Sequence, residues 1–551
     1  MENILIINFK RFGDIYTTGH LIQSLVHANP FARIYMLVYD EFQEAAKNLN
    51  NISRVFTIDR KRILTLKKNP LFLDSFCINA FEEELRPVAN LKWSKIINYS
   101  NDFVSTNITS LLSMKNPSAT YRGIKMQRGS VQPSSDWAII FNDVLTTYKH
   151  TPIHFIDNYH YMSDVSYYKK DERLKINPKH NETAFKNINK IRKTESENIG
   201  ENVKIVGIQL LTSSTKKDIP LDTIIDTIDE ILDDPQFYPI LLIAPNDHER
   251  KFAGKINQHF DNALITVESD FQALSSVLLN LDLLLTPDTV TKHVADLLEI
   301  PTIEVCIGGA PFLKQDTYNE GNIILVETEK PSDDEDDSSI KSRDILNAIR
   351  SFYNPDLEHI INLSKGVSLF RVQKDCLGTF YALRAGEYTP RKELSRLASR
   401  LYLLHSNNFF DDQHLFEEIN TLPRESIQKW LQKEKKYMTQ LSKDLLGTIR
   451  SLIMVSENRD RAVNFVNSLD KLLEYTEGQR LSSLPATIFK SKLDSLTNND
   501  LGVNIKLIEN QLYTLKTNLQ VVFSVLKKIE VKCLTRDKIT SNKRISRAEG
   551  L

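Results

Sequence analysis

The sequence predicts an α/β protein: two doubly wound domains with parallel sheets, followed by an all-helical C-terminal region. Three observations predict it. Over about the first 350 residues, short apolar runs alternate with amphipathic stretches, as strands and crossover helices do. A highly polar stretch from Lys169 to Asn202 divides that alternation into two series. After Asn354 the strand-like runs stop and long helical patterns replace them.

The first domain is expected over residues 1–168. Ile4 to Asn8 reads as a buried strand, followed by Lys10-Arg11-Phe12-Gly13-Asp14 and a helix carrying Leu21, Ile22, Leu25 and Val26. Strands follow at Arg33–Val38, Arg54–Ile58 and Lys95–Tyr99, then a helix through Ile108, Leu111 and Leu112. Residues 169–202 form a connection with some helical content.

The second domain covers 203–354. Its expected strands are Val203–Leu210, Tyr238–Ala244, Leu281–Leu285, Thr302–Ile307 and Asn322–Val326. Helices are expected at Thr223–Leu232, Phe271–Leu279 and Thr289–Leu298. The acidic run Ser332–Ser339 reads as a solvated loop. Residues 355–551 form a helical appendage, with patterns at Glu393–Leu404, Arg424–Ser456 and Asn504–Val531. It ends in a mildly basic tail carrying Arg536, Lys538, Lys543, Arg544 and Arg547.

The totals set limits on these domains. A chain of 551 residues exceeds one hydrophobic core, and 41% hydrophobic with 26% charged residues is a globular balance. A net charge of −1 gives no overall field for nucleic acid. Cys77, Cys306, Cys376 and Cys533 are scattered without metal-ligand spacing, which suits a reducing compartment and argues against a structural metal. The N-terminus lacks a basic region and a long apolar run, and no uncharged stretch reaches the roughly 18 residues of a membrane span. A cytoplasmic location is expected, with at most peripheral contact at the inner face of the membrane.

Ligands of doubly wound sheets bind at the carboxyl ends of strands, near helix N-termini. Three loops in such places carry reactive side chains. Gly13-Asp14 follows the first strand, and Asp14 reads either as a general base or as a helix N-cap. Ser213-Ser214-Thr215-Lys216-Lys217 opens the second domain, as a phosphate cradle or as a solvated loop. Thr286-Pro287-Asp288-Thr289-Val290-Thr291-Lys292-His293 follows a later strand. There Asp288 or Thr289 can cap the helix, its exposed N–H groups attract a diphosphate, and His293 reaches the same anion. The GxGxxG and GxxxxGK[ST] phosphate loops are absent, as are HExxH and GxSxG.

Taken together and in order, these loops resemble glycosyltransferase family 9, the ADP-heptose:lipopolysaccharide heptosyltransferases. The resemblance runs through ILIINFKRFGDIYTTGHLIQSL, KWSKIINYSNDFVSTNITSLL, YRGI, HFIDNYHYM, VGIQLLTSSTKKDIPLDTI, LLLTPDTVTKHVADLLEIPTIEV and SSIKSRDILNAIRSFY, covering about residues 1–355. It implies a GT-B fold of two Rossmann-like domains and a metal-independent, inverting transfer of a heptose-type sugar. The donor would be an ADP-sugar substrate, with no cofactor, and the acceptor a lipopolysaccharide core.

The resemblance implies Asp14 as base, with Lys217, Asp288, Thr289 and His293 on the donor. Thr215 and Lys216 are further donor candidates, and Glu249 is a ribose ligand. Lys10, Arg11 and Gly13 would face an anionic acceptor. Two positions depart from the family: Val290 stands for the glycine of its Asp-Thr-Gly, and Ile219 for a tryptophan. A protein or other surface-polysaccharide acceptor, or a non-catalytic scaffold, are the alternative readings. The helical region would then bind a protein or oligomerise.

Overall fold

In the computed structural model the described residues are 2–69, 74–147, 151–169, 173–199, 202–308, 310, 312–328, 339–386, 388–457, 461–477, 480–498 and 500–534. Most of the acidic run (332–338) and the basic tail (535–551) lie outside them.

The four expected apolar runs of the first domain pair, joined by a fifth, short polar strand that was not expected. β1 (Asn3–Ile7), β2 (Arg33–Tyr39), β3 (Ile52–Ile58), β4 (Lys95–Asn98) and β5 (Thr120–Arg122) form a sheet in the order 3-2-1-4-5. Every pairing in it is parallel. The reversal of direction beside β1 is the switch point where such sheets take ligands. Because crossover helices cover both faces, β1 and β2 are buried almost throughout. A hairpin of β6 (Ile124–Gln127) and β7 (Ser130–Pro133) follows.

The polar connection forms a 22-residue helix, Pro178–Ile199. The second sheet then contains β8 (Lys204–Gln209), β9 (Phe237–Ile243), β10 (Thr266–Glu268), β11 (Leu283–Pro287), β12 (Thr302–Cys306) and β13 (Ile323–Glu327). They run parallel in the order 10-9-8-11-12-13. Helices Leu221–Leu232 and Ser342–Tyr353 bury Ile224, Ile228, Ile345 and Ile349 against it. The pair of Rossmann-like domains is therefore present.

Two expectations are corrected. Strands do not end at Asn354: β14 (Val367–Asp375) pairs antiparallel with β13, and β15 (Gly378–Gly386) follows at the edge. Residues 126–153 do not group with the rest of the first domain. Two compact units result, one of residues 1–125, 154–373 and 379–387, the other of 126–153, 374–378 and 388–551.

The first unit contains both sheets. In the second unit, helices Pro390–Ser406, Arg424–Glu457 and Leu501–Leu534 supply the bulk, the last two having 34 residues each. The inserted segment belongs here because Asp143 accepts the Ser491 hydroxyl at 2.6 Å and Asp136 pairs with Lys492 at 2.6 Å. Buried Arg400 forks onto Asp375 (2.6 and 2.8 Å) and donates to the carbonyls of Pro152 and Gly378. Among the described residues no helix is long and apolar enough to cross a membrane.

Candidate functional site

The site begins where β1 ends. Asn8 folds the exit of the strand, accepting the Lys10 N–H and donating to the Asp14 carbonyl. Helix Phe12–Ala28 then starts with Arg11 as N-cap, so Asp14 lies in the first turn and is not the cap. Its carboxylate accepts a hydrogen bond from the Gln315 amide at 3.3 Å, across from the loop after β12. A negative charge in a first turn is favoured by the helix dipole.

Gly13 is explained by its neighbour rather than by its backbone, because its φ is not positive. A Cβ placed there would lie 2.6 Å from Cδ2 of His293. The glycine thus admits the imidazole of the second domain to the Gly13-Asp14 turn. His293 is buried, and burial together with the Lys292 ammonium holds its imidazole well below the ordinary histidine range, in the neutral form.

Lys10 is half-buried, with its ammonium 5.5 Å from the centroid of the Phe155 ring. Burial lowers its pKa, against the attraction of Asp14 and Asp102. Arg11 is exposed beside it. Phe155 opens a short helix capped by His154, whose Nδ1 accepts the Ile156 N–H. That leaves Nε2 as the donor to the Asp316 carbonyl at 3.0 Å, a second bridge between the two α/β domains.

The lysine loop after β8 forms a single turn, Thr215–Lys217, with Thr215 and Lys216 exposed. Gly308 has φ +60°, and the Lys216 carbonyl occupies the place of its missing Cβ, so only glycine lets the lysine loop approach β12. Lys217 reaches across to Asp288 Oδ2 at 2.8 Å.

At the end of β11, helix Val290–Leu298 starts with Thr289 in the N-cap position but without a side-chain cap. The Thr289 hydroxyl lies 3.0 Å from that of Thr286 instead, and Asp288 is taken by lysines. The expected side-chain capping is therefore absent, which leaves the first-turn N–H groups to a ligand. Val290 is half-buried at the first helical position.

Asp288 is bridged by two cations. Lys217 meets Oδ2, while Lys292 meets Oδ1 at 3.0 Å. Burial would raise its pKa, but Lys292 and Lys217 hold the carboxyl below the usual range. The Lys292 ammonium also meets Glu304 Oε1 at 2.6 Å, and Glu304 Oε2 accepts the Thr317 N–H. Burial raises the pKa of Glu304, while the Lys292 ammonium on its carboxylate acts to lower it. Glu304, Cys306 and Asp316 lie as close together as the ligands of a metal ion, but the Lys292 ammonium already sits on Glu304.

Lys292, Glu304 and Gln315 were not singled out from the sequence. Lys292 stands four residues after Asp288, one turn into the helix that Asp288 precedes, and that spacing is the signal that could have found it. Glu249 lies apart from these groups in the sequence of elements, in the first turn of helix Asp247–His259 after β9. Its carboxylate accepts the Ala244 N–H at 2.7 Å and the Asn246 amide at 3.3 Å, bracing that turn.

Comparison with known proteins finds one family and several solved structures. The family model for glycosyltransferase family 9 (heptosyltransferase) matches residues 120–332, a segment that contains Lys217, Asp288, Thr289 and His293 but not Asp14. Among solved structures, the chain is similar to a family 9 glycosyl transferase from Veillonella parvula, at 14% identity and a TM-score of 0.45. That alignment covers 64% of this chain and 97% of the other. It is also similar to the Escherichia coli heptosyltransferase WaaC with ADP (15%, TM-score 0.41, 64% and 99% covered). The E. coli ADP-heptose lps heptosyltransferase II gives 12%, TM-score 0.41, and 65% and 99% covered. No curated protein sequence matches. Residues 120–332 thus match a glycosyltransferase family 9 domain, a match that supports glycosyltransferase activity.

Proposed function

We propose that this glycosyltransferase moves a heptose-type sugar from an ADP-sugar to a lipopolysaccharide inner-core acceptor, with inversion and without a metal ion. Asp14 takes the proton of the acceptor hydroxyl as its oxygen attacks the anomeric carbon, and the bond to ADP breaks on the opposite face. Lys217 and the N–H groups at the start of helix Val290–Leu298 take up the charge on the departing diphosphate. Thr215, Lys216, Asp288, Thr289 and His293 line the donor, Glu249 meets the ribose, and Lys10, Arg11 and Gly13 face the acceptor. The work would be done in the cytoplasm, at the inner membrane face.

One observation carries this reading: the His293 ring against Gly13, which brings the Asp14 turn onto the Asp288–His293 turn. Incubation with ADP-heptose and extracted core acceptor tests it. ADP release by the wild-type chain, lost in Asp14→Ala, is expected, and no release with any core acceptor overturns the proposal.

A second reading, a scaffold that binds no nucleotide, draws on Val290 at the helix start and on Lys217 held by Asp288. A rise in melting temperature with ADP would exclude it.

A further inference from the structure

We infer that Lys292 is a positioning residue of the diphosphate site: its buried ammonium holds and neutralises Asp288, which frees Lys217 to take the ligand. The inference rests on the nucleotide-sugar reading above and assigns a role within that same site.

The side chain of Lys292 is 1% exposed, that of Glu304 0%, and that of Asp288 18%. Lysine is rarely buried this completely, because removing an ammonium from water is costly without well-placed partners. Here the partners are supplied from two elements, Asp288 at the end of β11 and Glu304 on β12. β12 reads Thr-Ile-Glu-Val-Cys and is fully buried, so Glu304 interrupts a strand that apolar residues would fill. An apolar pair of similar volume would serve stability as well or better. The buried charges therefore call for another explanation.

Their position supplies it. Asp288 stands at the helix start where the diphosphate would lie, and an uncompensated carboxylate there repels phosphate. Its two cations differ in freedom. The Lys217 side chain is 26% exposed and sits on a loop, whereas Lys292 is enclosed in its helix. A ligand can draw Lys217 off Asp288 by competing for its ammonium, but it cannot draw off Lys292. Once Lys217 has turned to the phosphates, Lys292 is the charge that remains on Asp288. The diphosphate then meets a lysine and open helix N–H groups instead of an anion.

The test is ADP binding by the full chain, measured by calorimetry, with donor KM and kcat measured in parallel. Lys292→Met combined with Glu304→Gln replaces the buried pair by neutral side chains of similar size. This double variant should keep its melting temperature within a few degrees, bind ADP at least tenfold more weakly, and raise donor KM more than it lowers kcat. ADP affinity within twofold of wild type overturns the inference.

Glu304→Gln alone keeps the ammonium and leaves it to Asp288, so ADP should bind a few-fold more tightly. If the double variant does not fold, this single variant decides, and unchanged affinity overturns the inference. Wild-type chain that binds no ADP overturns the nucleotide-sugar reading and the inference with it. Binding that is lost in Lys217→Ala but kept in the double variant overturns the inference alone.

Discussion

The imidazole of His293 fills the volume that any side chain at Gly13 would need, with Cδ2 2.6 Å from the position of a Cβ. Two loops far apart in sequence are fitted to each other at this point.

Gly13→Ala is therefore expected to displace the ring or the Asp14 turn. Overpacking of this kind costs about 1–3 kcal/mol, and a displacement beside the reacting groups lowers turnover by about tenfold or more. Steady-state ADP release and thermal unfolding check it. Wild-type turnover in the alanine variant would show that the fit is not required.

Asp14→Asn keeps size and polarity but removes the proposed base. Turnover should fall by about 10²–10⁴-fold, while ADP affinity stays near the wild-type value because the proposed role of Asp14 is on the acceptor side. A comparable loss of ADP binding would instead place Asp14 on the donor side.

Asp296 gives a pH-dependent prediction. It is buried in helix Val290–Leu298, and its Oδ1 accepts from the Thr317 hydroxyl and the Tyr318 N–H. Its Oδ2 has no hydrogen-bond partner among the described residues. Burial raises its pKa to about 6. A carboxyl with a raised folded pKa binds more protons folded than unfolded between the ordinary value of 3.8 and about 6. Its contribution is thus complete below 3.8 and lost as pH rises through 6. Asp296→Asn should therefore gain about 1–3 kcal/mol relative to wild type at pH 8, and much less at pH 4. Chemical denaturation at both pH values measures the difference, and equal shifts would contradict it.

In the helical unit, Arg400→Ala strips Asp375 of a two-pronged partner and leaves a buried carboxylate with the weaker contact to His414, at 3.1 Å. Breaking a buried pair from one side costs about 3–5 kcal/mol. Although burial works the other way, Arg400 and His414 hold Asp375 below the usual carboxylate range. The stability it contributes is present above that range and is lost as pH falls. Denaturant unfolding followed near neutral pH and near pH 2 should show the variant's deficit shrinking in acid.

Much of the fold was legible because buried parallel strands are apolar almost throughout: β1, β2, β8, β9, β11 and β12 all read as short runs. β14 and β15 escaped because Arg371, Lys374 and Arg384 break their apolar pattern, and both strands turn half-exposed towards their distal ends. The segment 126–153 carries no local sign that its partners lie hundreds of residues later.

In the site, Asp14, Lys217 and Asp288 were visible because each follows a strand end, where chemistry in these sheets collects. The roles of Gly13 and Lys292 were not, since each depends on a residue from another element, His293 in one case and Glu304 in the other.

The divided second unit also has a temporal consequence. Asp143 waits for Ser491, a separation of 348 residues. At ribosomal rates of about 5–20 residues per second, segment 126–153 stays without those partners for roughly 20–70 s after it is made. Both α/β sheets can close in that interval, whereas the helical unit can finish only when the last helices arrive. A chain stopped near residue 387 would keep the loops after β1, β8 and β11 yet lack the partners of segment 126–153, and so be a target for chaperones and proteases. The second unit is thus the last part of the chain to be completed, after both sheets.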